Sequence, residues 1–325
     1  MSKQAVLLLA HGTPETVDQI PEYLRNVVSG RPLPQHVIEE IQHRYSLIGR
    51  SPLTELTLEQ GRLTQEELAT AGQTVPVYVG MRNWKPYIPD VVRQMRADGV
   101  EQAAVICLAP QNSRTSVGLY RRAVMAEAGP LRIDFTDAWA QHPLLIEAFA
   151  ERLRPALASL KAEVGHDVPV LFTAHSVPSR TVEAAPAPAG ADDPLAARMR
   201  ADGPDPYAEE ARATAALAAR AVPEVNEWYF AFQSQGASGG PWIGPTVEET
   251  IDALAEQGAR AVLLQPIGFL CDHVEILYDV DIAFREYAAS KGIRLERPQS
   301  LNASRTLARA VAELSALGLD RITRA

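Results

Sequence analysis

Cysteine is scarce in this sequence: Cys107 and Cys271 are the only two among 325 residues. Two thiols cannot form a disulfide framework or a four-thiolate cluster by themselves. Each cysteine ends an apolar run, where a small thiol packs well. We therefore predict that both are buried and free.

Long apolar runs are also missing, since no stretch approaches the roughly 18 uninterrupted apolar residues of a membrane-spanning helix. The apolar run near the N-terminus is too short to be a signal peptide, so we expect a cytoplasmic protein without a transmembrane segment. Basic charge is in deficit, because 31 Lys and Arg face 40 Asp and Glu, a net charge of −9. This balance argues against general nucleic-acid binding but allows a local basic pocket for an anionic small molecule.

What the sequence does contain is an alternation of short β-rich runs and longer helical stretches, which is typical of parallel sheets covered by helices. The predicted fold class is therefore α/β. Four strands are predicted in the first half of the chain, at residues 5–10, 75–80, 103–110 and 132–138. Four more are predicted in the second half, at residues 168–176, 227–234, 260–269 and 294–300.

The two halves also repeat each other. An apolar run ends in AHGTP around His11 and again in AHSVP around His175, and residues 85–110 parallel residues 240–266 in their loop, helix and strand. Two similar lobes form a cleft, and ligands of such folds bind at the carboxyl ends of the strands. We therefore predict that both histidines face the interlobe cleft. The alternative is that each histidine only caps its strand by bonding the backbone.

Residues 182–206 are rich in Ala, Pro, Gly and Asp. This composition favours a disordered surface insertion. The segment follows His175 closely, so a lid over the cleft is the alternative.

The most informative stretch is GFLCDHVEILYDVDIAFREY, residues 268–287. A helix that begins near Asp272 places four carboxylates in one stripe: Asp272, Glu275, Asp279 and Glu286. A capping box accounts for Asp272 with Glu275 but not for Asp279, and His273 adds a candidate ligand. The stripe therefore favours a metal-handling site, with helix capping as the alternative.

Three loops supply donors for an anionic ligand. Residues 30–34 contain Arg31, and residues 45–53 contain Arg50 and Ser51. Residues 109–122 follow a buried strand and carry the densest set: Ser113, Arg114, Thr115, Ser116, Tyr120 and Arg121. Such groups bind carboxylates or phosphates through charge-assisted hydrogen bonds, whereas the alternative for any single arginine is a solvated surface side chain. The glycine-rich residues 232–246 lack the spacing of a nucleotide-binding loop.

Five motifs in this order resemble the ferrochelatases over nearly the full chain. They are AHGTP (10–14), GRSPL (49–53), TAHSVP (173–178), FQSQGASGGPWIGPT (232–246) and DHVEILYDVD (272–281). The resemblance implies two Rossmann-like lobes of the class II chelatase type. It also implies a lyase of haem biosynthesis that takes Fe²⁺ and a porphyrin as substrates, with no tightly bound cofactor.

The resemblance further implies that His175 and Glu275 are the catalytic pair and that Asp279 joins them in handling the metal. We expect the pair to face each other across a pocket wide enough for a flat tetrapyrrole. The expected porphyrin-binding residues are His11, Arg31, Arg44, Ser51, Ser113, Thr115 and Tyr120. A neutral imidazole can accept pyrrole protons near pH 7, and carboxylates suit iron in transit.

Coproporphyrin III is the expected porphyrin, because only 36 residues separate Pro14 from Ser51 and this interval is polar and rich in arginine. Ferrochelatases acting on protoporphyrin carry a longer apolar lip there, and coproporphyrin has four propionates rather than two. Protoporphyrin IX stays open as an alternative, as does a cytoplasmic haem or tetrapyrrole carrier. Cobalt chelatases are disfavoured because they lack the acidic helix.

The sequence departs from the family in four places, one of which is the insertion at residues 182–206, which has no clear counterpart there. His11 stands where coproporphyrin enzymes of several Gram-positive bacteria have a tyrosine that approaches the iron, so either His11 ligates the iron instead or the axial contact is missing. Ala283 replaces a further acidic residue, for which Glu286 is the candidate substitute. No C-terminal cysteine cluster exists, so no iron–sulfur centre is expected.

The predicted domains are an N-terminal lobe of residues 1–142, a C-terminal lobe of residues 143–310 and a helical tail of residues 311–325. A monomer is expected, with downstream enzymes of the haem pathway as candidate partners.

Overall fold

The structure is a computed structural model that describes residues 2–179, 205–235 and 241–324. The predicted insertion lies outside the described residues except for its last two positions, Asp205 and Pro206. Both cysteines are buried and free, as predicted. No helix in the described ranges has the length and apolarity needed to cross a membrane.

The N-terminal sheet contains four parallel strands in the order β2-β1-β3-β4. They are β1 (Gln4–Ala10), β2 (Val77–Met81), β3 (Gln102–Cys107) and β4 (Arg132–Thr136). Every residue of β1 from Ala5 to Ala10 is buried. A strand that is apolar on both faces belongs inside a sheet with helices on both sides, which is why the run near the N-terminus forms the middle of this sheet.

The C-terminal sheet repeats this arrangement in the order β6-β5-β7-β8, again parallel. Its strands are β5 (Val170–His175), β6 (Trp228–Gln233), β7 (Ala261–Pro266) and β8 (Arg294–Glu296). All eight predicted strands are therefore confirmed, as are the two α/β lobes. The last strand was predicted to run to residue 300, but it ends at Glu296; Pro298 offers no N–H to a neighbouring strand.

Helices connect the strands and cover both sheets. Those of the first half are α1 (Ile20–Val27), α2 (Gln35–Ile48), α3 (Leu53–Thr70), α4 (Ile88–Ala97), α5 (Val117–Glu127) and α6 (Pro143–Val164). Those of the second half are α7 (Tyr207–Ala221), α8 (Val247–Glu256), α9 (Val274–Leu277), α10 (Arg285–Ser290) and α11 (Arg305–Arg324). A π-helical segment, Asp279–Phe284, separates α9 from α10.

The last helix, α11, packs on the N-terminal lobe, against β3, β4 and α3. A Cβ atom at Gly318 would lie 2.9 Å from the Cβ of Ala104 in β3. Glycine therefore lets this helix approach the sheet more closely than any other residue would allow. The predicted tail from residue 311 is part of this helix, which begins at Arg305. One apolar core consequently runs through both lobes.

Candidate active site

His175 is the last residue of β5, at the carboxyl end of the C-terminal sheet. Its Nδ1 contacts the carbonyl oxygen of Ser176, and its own carbonyl accepts a hydrogen bond of 2.9 Å from the Tyr207 hydroxyl. A carbonyl can only accept, so Nδ1 carries the hydrogen. The other ring nitrogen, Nε2, is therefore the one available for chemistry.

Glu275, in α9, places its carboxylate between two imidazoles. Its Oε1 lies 3.5 Å from Nε2 of His175, and its Oε2 lies 3.6 Å from Nε2 of His273. His273 is held in the same way as His175, because its Nδ1 lies 3.0 Å from the carbonyl oxygen of Cys271. One carboxylate thus faces the Nε2 atoms of two histidines, and in each histidine a backbone carbonyl binds the other ring nitrogen, Nδ1.

Charge and burial act against each other in this group. Burial lowers the pKa of His175, but the Glu275 carboxylate and the Ser176 carbonyl outweigh it, so the net pKa is raised. Burial raises the pKa of Glu275, but His175 and His273 together lower it well below its usual range. The carboxylate and the protonated imidazole therefore stabilise each other, and about a third of each side chain is exposed.

The arrangement corrects one expectation. We predicted that His175 and Glu275 face each other across a pocket wide enough for a tetrapyrrole. At 3.5 Å the two side chains are in contact, and no macrocycle fits between them. A flat ring can only lie to one side of the pair.

Asp279 begins the π-helical segment and lies behind the same surface, with a side chain that is only 10% exposed. Its Oδ1 lies 3.4 Å from Arg44 Nη1, and its Oδ2 accepts a hydrogen bond from the Ser234 hydroxyl. Burial raises the pKa of Asp279 to about 6, although the Ser234 hydroxyl opposes the shift. Asp279 is thus mostly ionised at neutral pH.

The predicted acidic stripe and capping box are wrong. Only one α-helical turn follows His273 before the backbone changes to π-helix, whose i→i+5 bonds break the 3.6-residue repeat. Asp272 precedes the helix and accepts hydrogen bonds from Ser300 and Asn302 instead of capping. Glu286 is exposed on α10.

His11 follows the end of β1 on the opposite lobe. Its Nε2 lies 2.8 Å from the Tyr23 hydroxyl, and its Nδ1 lies 3.2 Å from the Asn83 amide. The next residue, Gly12, has φ +78°, and a Cβ there would lie 2.8 Å from the Met81 Cβ, so the turn requires glycine. Burial, assisted by Arg82, lowers the pKa of His11 to about 3. Val274, the neighbour of Glu275, packs in the same apolar cluster as Tyr23, the hydrogen-bond partner of His11, so His11 lies near the segment that carries Glu275.

The low pKa of His11 predicts acid-sensitive stability. In the unfolded chain His11 has a pKa of about 6.5 and is protonated below that pH, whereas in the native state it stays neutral down to about pH 3. The free energy of unfolding therefore falls as the pH drops from about 6.5 towards 3. The His11→Gln variant retains a hydrogen-bonding side chain but cannot titrate. Between pH 7 and pH 5 it should lose about 2 kcal/mol less unfolding free energy than the wild type. Urea denaturation at both pH values measures this, and equal losses would contradict it.

Of the other predicted porphyrin-binding residues, some lie at the site and some do not. Arg44 joins the site, with its guanidinium also 4.9 Å from the Tyr278 ring centre. Ser51 is buried and accepts a hydrogen bond of 3.2 Å from Thr13. Arg31 is exposed and donates to the carbonyl of Val28.

The remaining three predicted residues belong to the loop and helix after β3. Ser113 is buried between Thr115 and Asp205, which it contacts at 2.9 and 3.3 Å, whereas Thr115 itself is exposed. Tyr120 is buried, with Arg82 5.7 Å from its ring centre. These residues shape the loop around the cleft rather than surround the His175–Glu275 pair.

Arg82 was missed from the sequence, together with Tyr23 and Asn83. Arg82 connects α5 with the loop that follows β1: its guanidinium lies over the Tyr120 ring, and its charge lowers the pKa of His11. Its position in the sequence could have identified it. Arg82 follows the last residue of β2, and His11 follows the last residue of β1, so both lie at the carboxyl edge of the N-terminal sheet. Within the ranges that the structure describes, no three His, Cys, Asp or Glu side chains are arranged as a preformed metal site.

Comparison with known proteins bears on the family and on the fold. The family model described as ferrochelatase matches residues 3–317. A ferrochelatase of Acidobacterium capsulatum is 61% identical over 321 residues, which are 98% of this chain and 96% of that protein. A coproporphyrin III ferrochelatase of Mycolicibacterium vanbaalenii is 34% identical over 323 residues, 97% of this chain and 89% of that protein.

Among solved structures, the sirohydrochlorin chelatase SirB of Bacillus subtilis subspecies spizizenii gives a TM-score of 0.51 at 12% identity. The match covers 99% of this chain and 96% of SirB. At this identity the likeness concerns the fold, and it agrees with the predicted pair of Rossmann-like lobes.

Proposed function

Because the chain belongs to the ferrochelatase family and is therefore an enzyme that inserts iron into a porphyrin, we propose that its porphyrin is coproporphyrin III. A relative with 34% identity is named for this substrate, while the one with 61% identity is named ferrochelatase alone. The chemistry of the cleft supports the proposal. Arg44 contacts Asp279, and Arg82 donates to Asn83, the partner of His11; guanidinium groups bind carboxylates well. A porphyrin with four propionates gains more from them than one with two.

The observation that carries the catalytic proposal is the single carboxylate between two imidazoles. Metal insertion requires two pyrrole N–H protons to leave while Fe²⁺ loses its water ligands. Nε2 of His175 is the proposed acceptor of both pyrrole protons, one after the other: it passes the first to the solvent that reaches its exposed third before it takes the second, and Glu275 stabilises each imidazolium. Asp279, behind them, supplies a carboxylate for iron in transit, because oxygen ligands bind this ion without holding it as tightly as thiolates would.

His175 must be neutral before it can act as a base, although Glu275 favours its protonated form. A dication that approaches Glu275 repels the imidazolium and lowers the pKa of His175. The imidazole then releases its proton to the solvent in contact with its exposed part and presents a lone pair to the pyrrole. In this scheme Fe²⁺ arrives before His175 takes the pyrrole proton. The alternative of a tetrapyrrole carrier gives no role to a carboxylate beside the histidines. Membership of the ferrochelatase family also argues against a carrier.

Substrate choice is tested by anaerobic insertion of Fe²⁺ into coproporphyrin III and into protoporphyrin IX. We expect kcat/KM to favour coproporphyrin by about tenfold or more, the effect of two further charge-assisted contacts at roughly 1 kcal/mol each. Both porphyrins must be kept monomeric by the same detergent concentration, so that solubility does not decide the ratio. An equal or higher kcat/KM with protoporphyrin would refute coproporphyrin as the substrate and leave the ferrochelatase activity untouched.

A further inference from the structure

Arg297 follows β8 directly and has a side chain that is only 10% exposed. Its Nε and Nη2 each donate to one oxygen of Asp281 at 2.7 Å, a bidentate contact. Its Nη2 also lies 3.1 Å from Oδ1 of Asp272. One guanidinium therefore holds two carboxylates, and none of these three residues has a part in the catalytic scheme above.

The loop that carries Arg297 adds further bonds to Asp272. The Ser300 hydroxyl donates to Oδ1 at 2.7 Å and the Asn302 amide to Oδ2 at 2.8 Å. The backbone N–H of Asp272 donates in turn to the Asn302 side chain at 2.8 Å. Asn302 itself has φ +46°, a conformation that asparagine tolerates better than most residues. Gln60 of α3 anchors this loop by donating to the Asn302 carbonyl.

The two carboxylates held by Arg297 flank the catalytic segment. Asp272 lies three residues before Glu275, and Asp281 lies two residues after Asp279. The helix that carries Glu275 has only four residues and leads through Tyr278 into π-helix. So short a helix does not set its own position. The orientation of Glu275 depends on contacts with other elements: Gln233 donates to its backbone carbonyl at 3.1 Å, and Arg297 holds the segment at both ends.

We propose that Arg297 is a positioning residue, which aims Glu275 at His175 by holding Asp272 and Asp281 in one guanidinium fork. The inference rests on the proposed function, because it assigns Arg297 a role in metal insertion. Arg297 acts on the carboxylate and does not touch the substrates.

Two variants test this clamp, the group formed by Arg297 with Asp272 and Asp281. Lysine at position 297 keeps the charge but cannot form the fork, and Asp281→Asn removes one anionic arm while Arg297 keeps Asp272. We expect Arg297→Lys to lower kcat for Fe²⁺ insertion about 10–100-fold, the usual cost of losing a partner that orients a reactive group. The effect of Asp281→Asn should be smaller, about 3–10-fold. KM for coproporphyrin should stay within about twofold in both, since no substrate contact is removed.

Arg285→Lys is the matched control. Arg285 also approaches Asp281, at 4.0 Å, but its side chain is 45% exposed and also pairs with Glu296. We expect its kcat to remain within about twofold of the wild type.

A double variant separates positioning from general destabilisation. If the clamp works through Glu275, Asp281→Asn should lower kcat no further once Glu275→Gln is present. A purely structural defect would lower it in both backgrounds by the same factor. If Arg297→Lys fails to fold, Asp281→Asn and its double variant carry the test.

The inference is overturned if both clamp variants keep kcat within twofold of an active wild type, or if the Asp281→Asn effect persists in the double variant. A wild type that inserts no iron into either porphyrin would instead overturn the proposed function.

Discussion

Replacing His175 with alanine is expected to lower kcat for Fe²⁺ insertion by about 10²–10⁴-fold, the range for a positioned general base. The variant loses the Nε2 atom that faces Glu275 and leaves this carboxylate with His273 alone. KM for coproporphyrin should change much less, because the arginines of the cleft remain. The measurement is anaerobic insertion kinetics, with kcat and KM determined separately for iron and porphyrin.

His166→Ala is the control for this variant. His166 is an exposed histidine that precedes β5, whereas His175 ends it, so the two lie at opposite ends of one strand. The control should retain full turnover. Thermal denaturation must show that His175→Ala is folded, and near-normal turnover by the folded variant would remove the proposed base.

Glu275→Gln is expected to depress kcat by about 10²–10³-fold while porphyrin affinity stays within about threefold. Glutamine has the same shape but cannot balance the charge of an imidazolium. Burial is then opposed only by the Ser176 carbonyl and Asp279, the smaller of the effects that raise this pKa, so the pKa of His175 should fall. Insertion kinetics measure the first effect, and NMR titration of the histidine ring protons measures the second.

The matched control is Glu286→Gln, an acid that lies eleven residues further on and is exposed on α10. It was the proposed substitute for the acidic residue missing at Ala283, and its exposure predicts no effect on kcat. A large loss of activity in Glu286→Gln, or none in Glu275→Gln, would contradict the assignment of Glu275.

Strand positions were predictable because parallel strands covered on both faces are apolar throughout. The run LLLA before His11 and the run LFTA before His175 are both fully or almost fully buried. The carboxyl ends of such strands converge at one edge, so the spacing of two similar motifs was sufficient to bring both histidines to the cleft. The backbone bond at Nδ1 of His175 does not exclude the functional interpretation, since it leaves Nε2 free to act.

The acidic segment was predicted less well, because its backbone is not determined by local sequence. The spacing of Asp272, Glu275 and Asp279 fits a continuous α-helix, but the chain forms one α-turn and then π-helix. Partners that lie far away in sequence decide this outcome. Arg44 and Ser234 hold Asp279, from 235 and 45 residues away. No periodicity within residues 268–287 reveals such partners.

The position of α11 has a consequence for biosynthesis. The last strand of the N-terminal sheet ends at Thr136, yet the helix that packs on β3 and β4 begins at Arg305. At about 5–20 residues per second, a ribosome takes roughly 10–30 seconds to make the intervening chain. During that interval part of an apolar sheet lacks its cover, so the nascent first half is a natural client for chaperones. Once complete, the two halves are tied together and should melt in a single transition.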